Sequence, residues 1–265
     1  MNREATVLVN SCDRYADLWE PFARLWRKYW PDCPFEVVLL TESPAELAGA
    51  AKTVFSRAIA GGKNCWSKMM ATARSQIHTP YVMMLCDDYL LENRVDTGRV
   101  LSRLKAMKTL GAVNLRLIPN PPGGAEVAGS DLLEYRKQTA YSIATQAGFW
   151  DKEFLFDLAA KVESIWEFER YGSFALAGET RALLHTRTKE FPFVDAVHKG
   201  YWEKFGKALL EREGIEFDFA QRGLPPLSVR LREGLKGTIF RLLPTTPLVR
   251  FQNALGLGWK EKRRK

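Results

Sequence analysis

Histidine and cysteine are scarce in this chain, with three His and four Cys in 265 residues. Cys12, Cys33, Cys65 and Cys86 form no Cys-x-x-Cys pair, and His78, His185 and His198 are equally scattered, so neither a disulfide framework nor a structural zinc site is expected. No uninterrupted apolar run reaches the ~18 residues that a bilayer-crossing helix needs. The first residues, Met1 to Glu4, lead straight into a strand-like run without the apolar core of a signal peptide, which points to the cytoplasm.

What is present is enough apolar mass for a large core: 46% hydrophobic residues, 12% of the chain aromatic, which excludes disorder and fibrous classes. The net charge of +8 is unevenly placed. Residues 222–265 hold eleven Lys/Arg against two Glu, leaving 28 basic against 29 acidic residues in 1–221. A near-neutral body with a basic tail argues against a nucleic-acid-binding domain, whose basic residues would spread over the fold. Leu227, Leu231, Leu235, Ile239 and Leu242 share one helical face, with Arg230, Arg232, Lys236 and Arg241 elsewhere. This predicts a helical basic tail lying on an anionic membrane surface, the alternative being a helix packed on the body.

The N-terminal half alternates strand and helix patterns. Residues 6–9 read as a first strand that exits through Asn10, Ser11, Cys12 and Asp13. Asp17 is placed to cap a helix with Pro21 in its first turns and a stop at Pro31. Further strands are expected at 36–41, 53–55, 81–86 and 112–118, and helices at 66–77 and 96–110. The loop 119–124 (PNPPGG) reads as a flexible connection suited to a lid. Beyond it a strand at 141–145, helices at 152–161 and 164–171 and a strand at 182–185 are expected. The run 81–86 is continuously apolar, as a strand buried on both faces of a parallel sheet must be, and it ends abruptly in Asp87 and Asp88. The pattern describes one α/β domain over 1–221, a Rossmann-like mixed sheet flanked by helices. Its nucleotide-binding half ends at about 118, an acceptor-side half covers 119–221, and the tail follows.

In an open α/β sheet, ligands gather beyond the carboxyl ends of the strands, which singles out Asn10, Ser11, Asp13, Asp87 and Asp88. Two adjacent carboxylates at the end of an apolar strand are costly to desolvate unless a cation sits with them, and a divalent ion bridging to a nucleotide diphosphate would serve. The plain alternative is that one of them caps the following turn.

Residues 10–22 (NSCDRYADLWEPF), 28–34 (KYWPDCP), 84–90 (MLCDDYL) and 165–169 (IWEFE) resemble a group of bacterial glycosyltransferases of surface-polysaccharide (capsule or O-antigen) biosynthesis, whose fold is of the GT-A type. The similarity spans about residues 6–205. It implies a sugar nucleotide held by the strand-end loops, with Asp13 near the base or ribose and Asp87 and Asp88 at the ribose and at a Mn2+ or Mg2+ ion on the diphosphate. Trp66 and Arg74 lie on the helix before the acidic strand, where Arg74 either reaches the nucleotide or pairs with a surface acid.

An inverting transferase needs a carboxylate to take the proton of the acceptor hydroxyl. Glu167 and Glu169 point roughly 200° apart on a helix, so only one of them faces the site. Glu169, which ends the motif, is the first choice by resemblance and Glu167 the reserve; the alternative is a solvated acidic helix burying Trp166 and Phe168. Gln146 is placed to bond a donor-sugar hydroxyl, and Trp150 either stacks on a sugar or belongs to the core. By the same resemblance His198 or Lys199 supplies a late contact to metal or diphosphate. The expected activity is transfer of a sugar from a nucleotide-sugar donor to a lipid-linked or glycan acceptor at the inner face of the cell membrane. A sugar nucleotidyltransferase is the nearest other enzyme, although no glycine-rich phosphate loop follows strand one. A non-catalytic glycan- or membrane-binding protein of the same fold is the alternative outside enzymes.

Overall fold

The computed structural model describes residues 4–45, 55, 57–62, 66–135, 142–172, 176 and 178–226. β1 (Ala5–Asn10) leads through a 3-10 turn at Asp13–Leu18 into α1 (Trp19–Tyr29), followed by β2 (Glu36–Thr41), β3 (Arg57–Ala60), α2 (Trp66–Gln76) and β4 (Tyr81–Cys86). Next come β5 (Tyr89–Leu91), α3 (Thr97–Thr109), β6 (Asn114–Arg116), β7 (Ala125–Glu126), β8 (Leu133–Glu134) and β9 (Gly148–Asp151). The second half continues with α4 (Lys152–Ala159), α5 (Ile165–Tyr171), β10 (Leu183–His185) and β11 (Phe193–Asp195). A hairpin of β12 (Val197–His198) and β13 (Tyr201–Trp202) and helix α6 (Lys204–Arg212) complete it.

Nine strands form one mixed sheet in the order β3-β2-β1-β4-β9-β6-β10-β8-β7. β1 is parallel to both β2 and β4, while β9 runs antiparallel between β4 and β6. Each central strand is apolar on both faces, and alternate residues feed two separate cores, as the twofold repeat of a strand requires. Val7, Val9, Leu39, Met83 and Phe149 pack with the α1 aromatics, while Leu8, Val38, Leu40, Met84 and Trp150 pack with α2 and α4. The sheet is thus covered by helices on both sides. This is the mixed, helix-flanked α/β architecture that the strand and helix patterns predict.

Several details differ from the sequence reading. The third strand is Arg57–Ala60, parallel to β2; of the expected 53–55 segment only Phe55 is described, and it is buried against Phe22 with ring centroids 5.7 Å apart. Asp17 does not cap α1, because its carboxylate is taken by Arg222. No strand forms at residues 142–145. The strand is Gly148–Asp151, and a Cβ at Gly148 would lie 2.6 Å from the Leu115 carbonyl oxygen, so only glycine lets β9 close against β6. Trp150 in that strand is fully buried, which settles it as core. The 119–124 loop is pinned: Arg116 donates to the Asn120 carbonyl, and the His185 ring lies 2.7 Å from that of Gly123. Among the described residues no helix is long and apolar enough to cross a membrane. The expected tail helix, residues 227 onward, lies outside the described residues.

Candidate functional site

The connection from β1 leads to β2 on one side while β4 lies on the other, so the sheet has its topological switch point between β1 and β4, where open α/β sheets take their ligands. Asn10 and Cys86 are paired in register there, and the chain leaves both strands on the same edge through Ser11 and Asp87. Ser11 Oγ donates to Asp87 Oδ2 and accepts from the Trp19 indole at 2.7 Å. Asn10 accepts from the Trp66 indole at 3.1 Å and donates to the Leu85 carbonyl at 3.2 Å. Asp13 ties this exit to that of β2, with Oδ2 accepting from Ser43 Oγ at 2.7 Å and its own N–H donating to Glu42 at 3.1 Å. Asn10, Ser11, Asp13, Trp66 and Asp87 are thereby brought together.

Burial pushes the Asp87 carboxyl up to about 7, against the opposing pull of the Ser11 hydrogen bond and of Arg222. Asp88 is raised as well, by burial first and then by Asp87 and Asp195. Asp195 arrives through the β5–β11 pairing, which sets it opposite Tyr89, and the next N–H, of Ala196, donates to the Asp88 carbonyl at 2.8 Å. Adjacent acids that resist ionisation are what a cation would relieve. The described residues form no ready cage of three or more ligands. Asp87 and Asp88 instead fit the kind of site in which one or two carboxylates hold the ion and phosphate oxygens complete its shell. His198 is exposed on β12 and acts on Asp195.

Above the strand ends opens a cleft of about 620 Å³. Asp13, Arg14, Tyr15, Asp17, Trp166, the Lys199–Gly200 turn and Arg222 line it. Arg222 donates to Asp17 Oδ2 at 2.9 Å and to the Arg14 carbonyl at 2.9 Å, with its guanidinium 4.2 Å from the centre of the Tyr15 ring. Lys199 has φ 52 and Gly200 φ 83, the two positive values of a tight hairpin turn that favours Asn-Gly. A lysine there is strained by about 1 kcal/mol, and it places an amine at the mouth of the cleft. Lys199→Asn is therefore expected to raise the melting temperature by about 2–4 °C while weakening binding of nucleoside diphosphates by roughly threefold to tenfold. Calorimetry and titration of the same variant check both; a drop in stability would show that the turn is held by contacts other than its backbone.

On α5, Ser164 Oγ accepts from the Glu167 N–H at 3.2 Å, and Glu167 Oε2 accepts from the Glu163 N–H at 2.8 Å. Glu167 is thus engaged in the start of its own helix. Glu169 points the other way. Its Oε1 accepts from the Thr145 N–H at 2.8 Å and from Thr145 Oγ1 at 2.6 Å. Glu169 is close enough to β4 to join burial, Asp88 and Asp87 in raising the Cys86 thiol. Gln146, half-buried, follows Thr145.

Arg74 stands apart. It pairs with Asp157 at 2.7 Å and with Glu153 on the exposed side of α4, the surface-acid alternative weighed from the sequence. Arg222, Tyr15, Asp195 and Trp166 were not singled out as site residues by sequence. Arg222 reads there as the first residue of the tail, yet Phe217 and Phe219 pack on Trp202 with centroids at 4.6 and 5.3 Å and carry the segment to the cleft. Aromatics spaced two apart just before a charge run were the available signal.

No protein-family model matches the chain, and no curated protein matches it in sequence. Solved structures resemble it in fold alone. The mannosyltransferase PcManGT from Pyrobaculum calidifontis, in complex with GDP-Man and Mn2+, gives a TM-score of 0.49 at 12% identity, over 76% of this chain and 59% of its own. S. aureus TarS 1-349 in complex with UDP-GlcNAc gives 0.47 at 10% identity, over 83% and 69%. A UDP-glucose pyrophosphorylase complexed with UDP-glucose gives 0.46 at 8% identity, over 73% and 92%. In a further structure of TarS the match takes in 36% of that protein's length. At these scores what the site does has to be read from its own side chains.

Proposed function

We propose that this chain is a nucleotide-sugar-dependent glycosyltransferase of GT-A type that builds a bacterial surface glycan with inversion at the anomeric carbon. The observation that carries the reading is the meeting of the β1 exit, Asn10 and Ser11, with the acids Asp87 and Asp88 at the sheet's switch point, beneath a cleft edged by Lys199 and Arg222. The base and ribose lie along the Asp13 side, and the diphosphate lies between the acids and the two cations. Asp87 and Asp88 would hold a divalent cation, which when bound would neutralise charge on the departing nucleotide. Ser11 holds Asp87 in place through its hydrogen bond, and Glu169, positioned by Thr145, takes the proton of the attacking acceptor hydroxyl. Gln146 beside Thr145 contacts the donor sugar.

Incubating the protein with UDP-, GDP-, CMP- and dTDP-sugars and Mn2+ or Mg2+ tests this. Slow release of the nucleotide from one donor is expected, and formation of pyrophosphate from a nucleoside triphosphate and a sugar 1-phosphate would instead make the chain a nucleotidyltransferase. The surface-glycan acceptor rests on the motif resemblance, and the membrane contact on the charge and leucine stripe of the tail. Because Arg222 belongs to the cleft, the informative truncation begins after Pro226. Removing residues 227–265 is expected to abolish sedimentation with anionic liposomes while leaving donor hydrolysis within about twofold, since each basic residue near such a surface contributes on the order of 1 kcal/mol before screening. Undiminished liposome binding would remove the tail from the membrane reading.

A further inference from the structure

Of the seven tryptophans among the described residues, Trp166 alone is exposed, at 65%. Its neighbours on α5 explain how it is displayed. Ser164 caps the helix, Phe168 is fully buried against Trp66 at 5.0 Å and Trp150 at 5.9 Å, and that anchoring turns Trp166 outward into the wall of the cleft. Trp166 and Glu169 are three residues apart, so they share a helix face a little under one turn, about 4.5 Å, from each other along the axis. The same cleft is lined by Tyr15, whose ring is already covered by the Arg222 guanidinium, and by Lys199.

We infer that Trp166 is the platform for the acceptor: the indole face stacks on a pyranose ring and brings one of its hydroxyls within reach of Glu169. The inference rests on the glycosyltransferase reading of the same cleft. Lys199 and Arg222 suit the anionic nucleotide, while an uncharged aromatic face suits the C–H face of a sugar and leaves its hydroxyls to polar groups and water. The ring on Trp166 is therefore the acceptor's, and the charge of the nucleotide goes to Lys199 and Arg222.

The probes are a panel of methyl α- and β-pyranosides, followed by saturation-transfer NMR, and UDP, GDP, CMP and dTDP, followed by calorimetry. Wild-type protein is expected to bind at least one pyranoside through its C–H face. Trp166→Ala should weaken that binding at least tenfold and Trp166→Tyr should restore most of it, with the nucleotide affinity unchanged within twofold in both. As an exposed residue Trp166 contributes little to the core, and a thermal melt of each variant confirms that folding is retained. If Trp166→Ala weakens nucleotide more than pyranoside, Trp166 is a base platform and the inference is overturned. It is equally overturned if wild-type protein binds no pyranoside. Should the pyranoside pattern hold while no nucleotide sugar is hydrolysed, the platform stands and the transferase reading is what fails.

Discussion

Replacing Glu169 by glutamine is expected to lower sugar transfer by about two to four orders of magnitude while leaving nucleotide affinity within twofold. Glutamine retains an oxygen that accepts from the Thr145 N–H and hydroxyl, so the geometry that positions the side chain survives and only its capacity to take a proton is lost. Glu167→Gln serves as the comparison. Glu167 accepts from the N–H of Glu163 at the start of its helix; glutamine keeps that acceptor and loses only the charge, so its replacement should cost at most about 0.3–1 kcal/mol of stability with transfer nearly unchanged. If Glu167→Gln were inactive and Glu169→Gln active, the two roles would have to be exchanged.

The second large effect is expected at the acidic pair, and there activity and stability should move in opposite directions. Asp88→Asn should cut turnover by at least a hundredfold, and a chelator should reproduce the loss in wild-type protein. Full activity in excess chelator would sink the metal and leave the acids as ligands of the ribose. For Asp87 the sign on stability follows from its raised carboxyl, which burial holds at about 7. The unfolded chain ionises this group near 3.8 and the folded chain does not, so stability is lost as pH rises between those values, and the loss is complete above about 7. Asp87→Asn keeps an acceptor for Ser11 and removes the charge. Its melting temperature should exceed that of wild type by about 4–8 °C at pH 8, on the order of 2 kcal/mol, and by less at pH 5. Added Mn2+ should raise the wild-type value at pH 8 and leave an Asp87→Asn, Asp88→Asn double variant unmoved. A lower melting temperature for Asp87→Asn at pH 8 would show that the carboxylate is already compensated in the free protein.

The strand-end half of this site was legible because the signals are local. An apolar run that stops at two aspartates is visible without any knowledge of the fold, and the register of β1 with β4 then decides what faces it. The IWEFE motif was equally visible, but the contact that distinguishes its two glutamates, Glu169 with Thr145 twenty-four residues upstream, is not in the motif. Arg222 and Asp195 were hidden for the same reason. Each reaches the site through a contact made in space, Arg222 with Asp17 and Asp195 through the pairing of β11 with β5. The misplaced strands have a different cause. Residues 141–145 look more strand-like than Gly148–Asp151, whose glycine lowers local strand preference yet is what tight packing against Leu115 demands.

The position of β9 also bears on how the chain comes to be folded. This strand, from Gly148 to Asp151, is inserted between β4 and β6, so the first 118 residues cannot complete their own sheet. A nascent or truncated chain of that length would leave the edge of β4 unpaired, an open ladder of N–H and C=O groups available to any other strand. The boundary expected near residue 118 is therefore no seam along which the protein can be cut. The sheet begun by the first 118 residues closes only after β9 has been synthesised, and fragments ending before residue 151 are expected to aggregate rather than bind nucleotide.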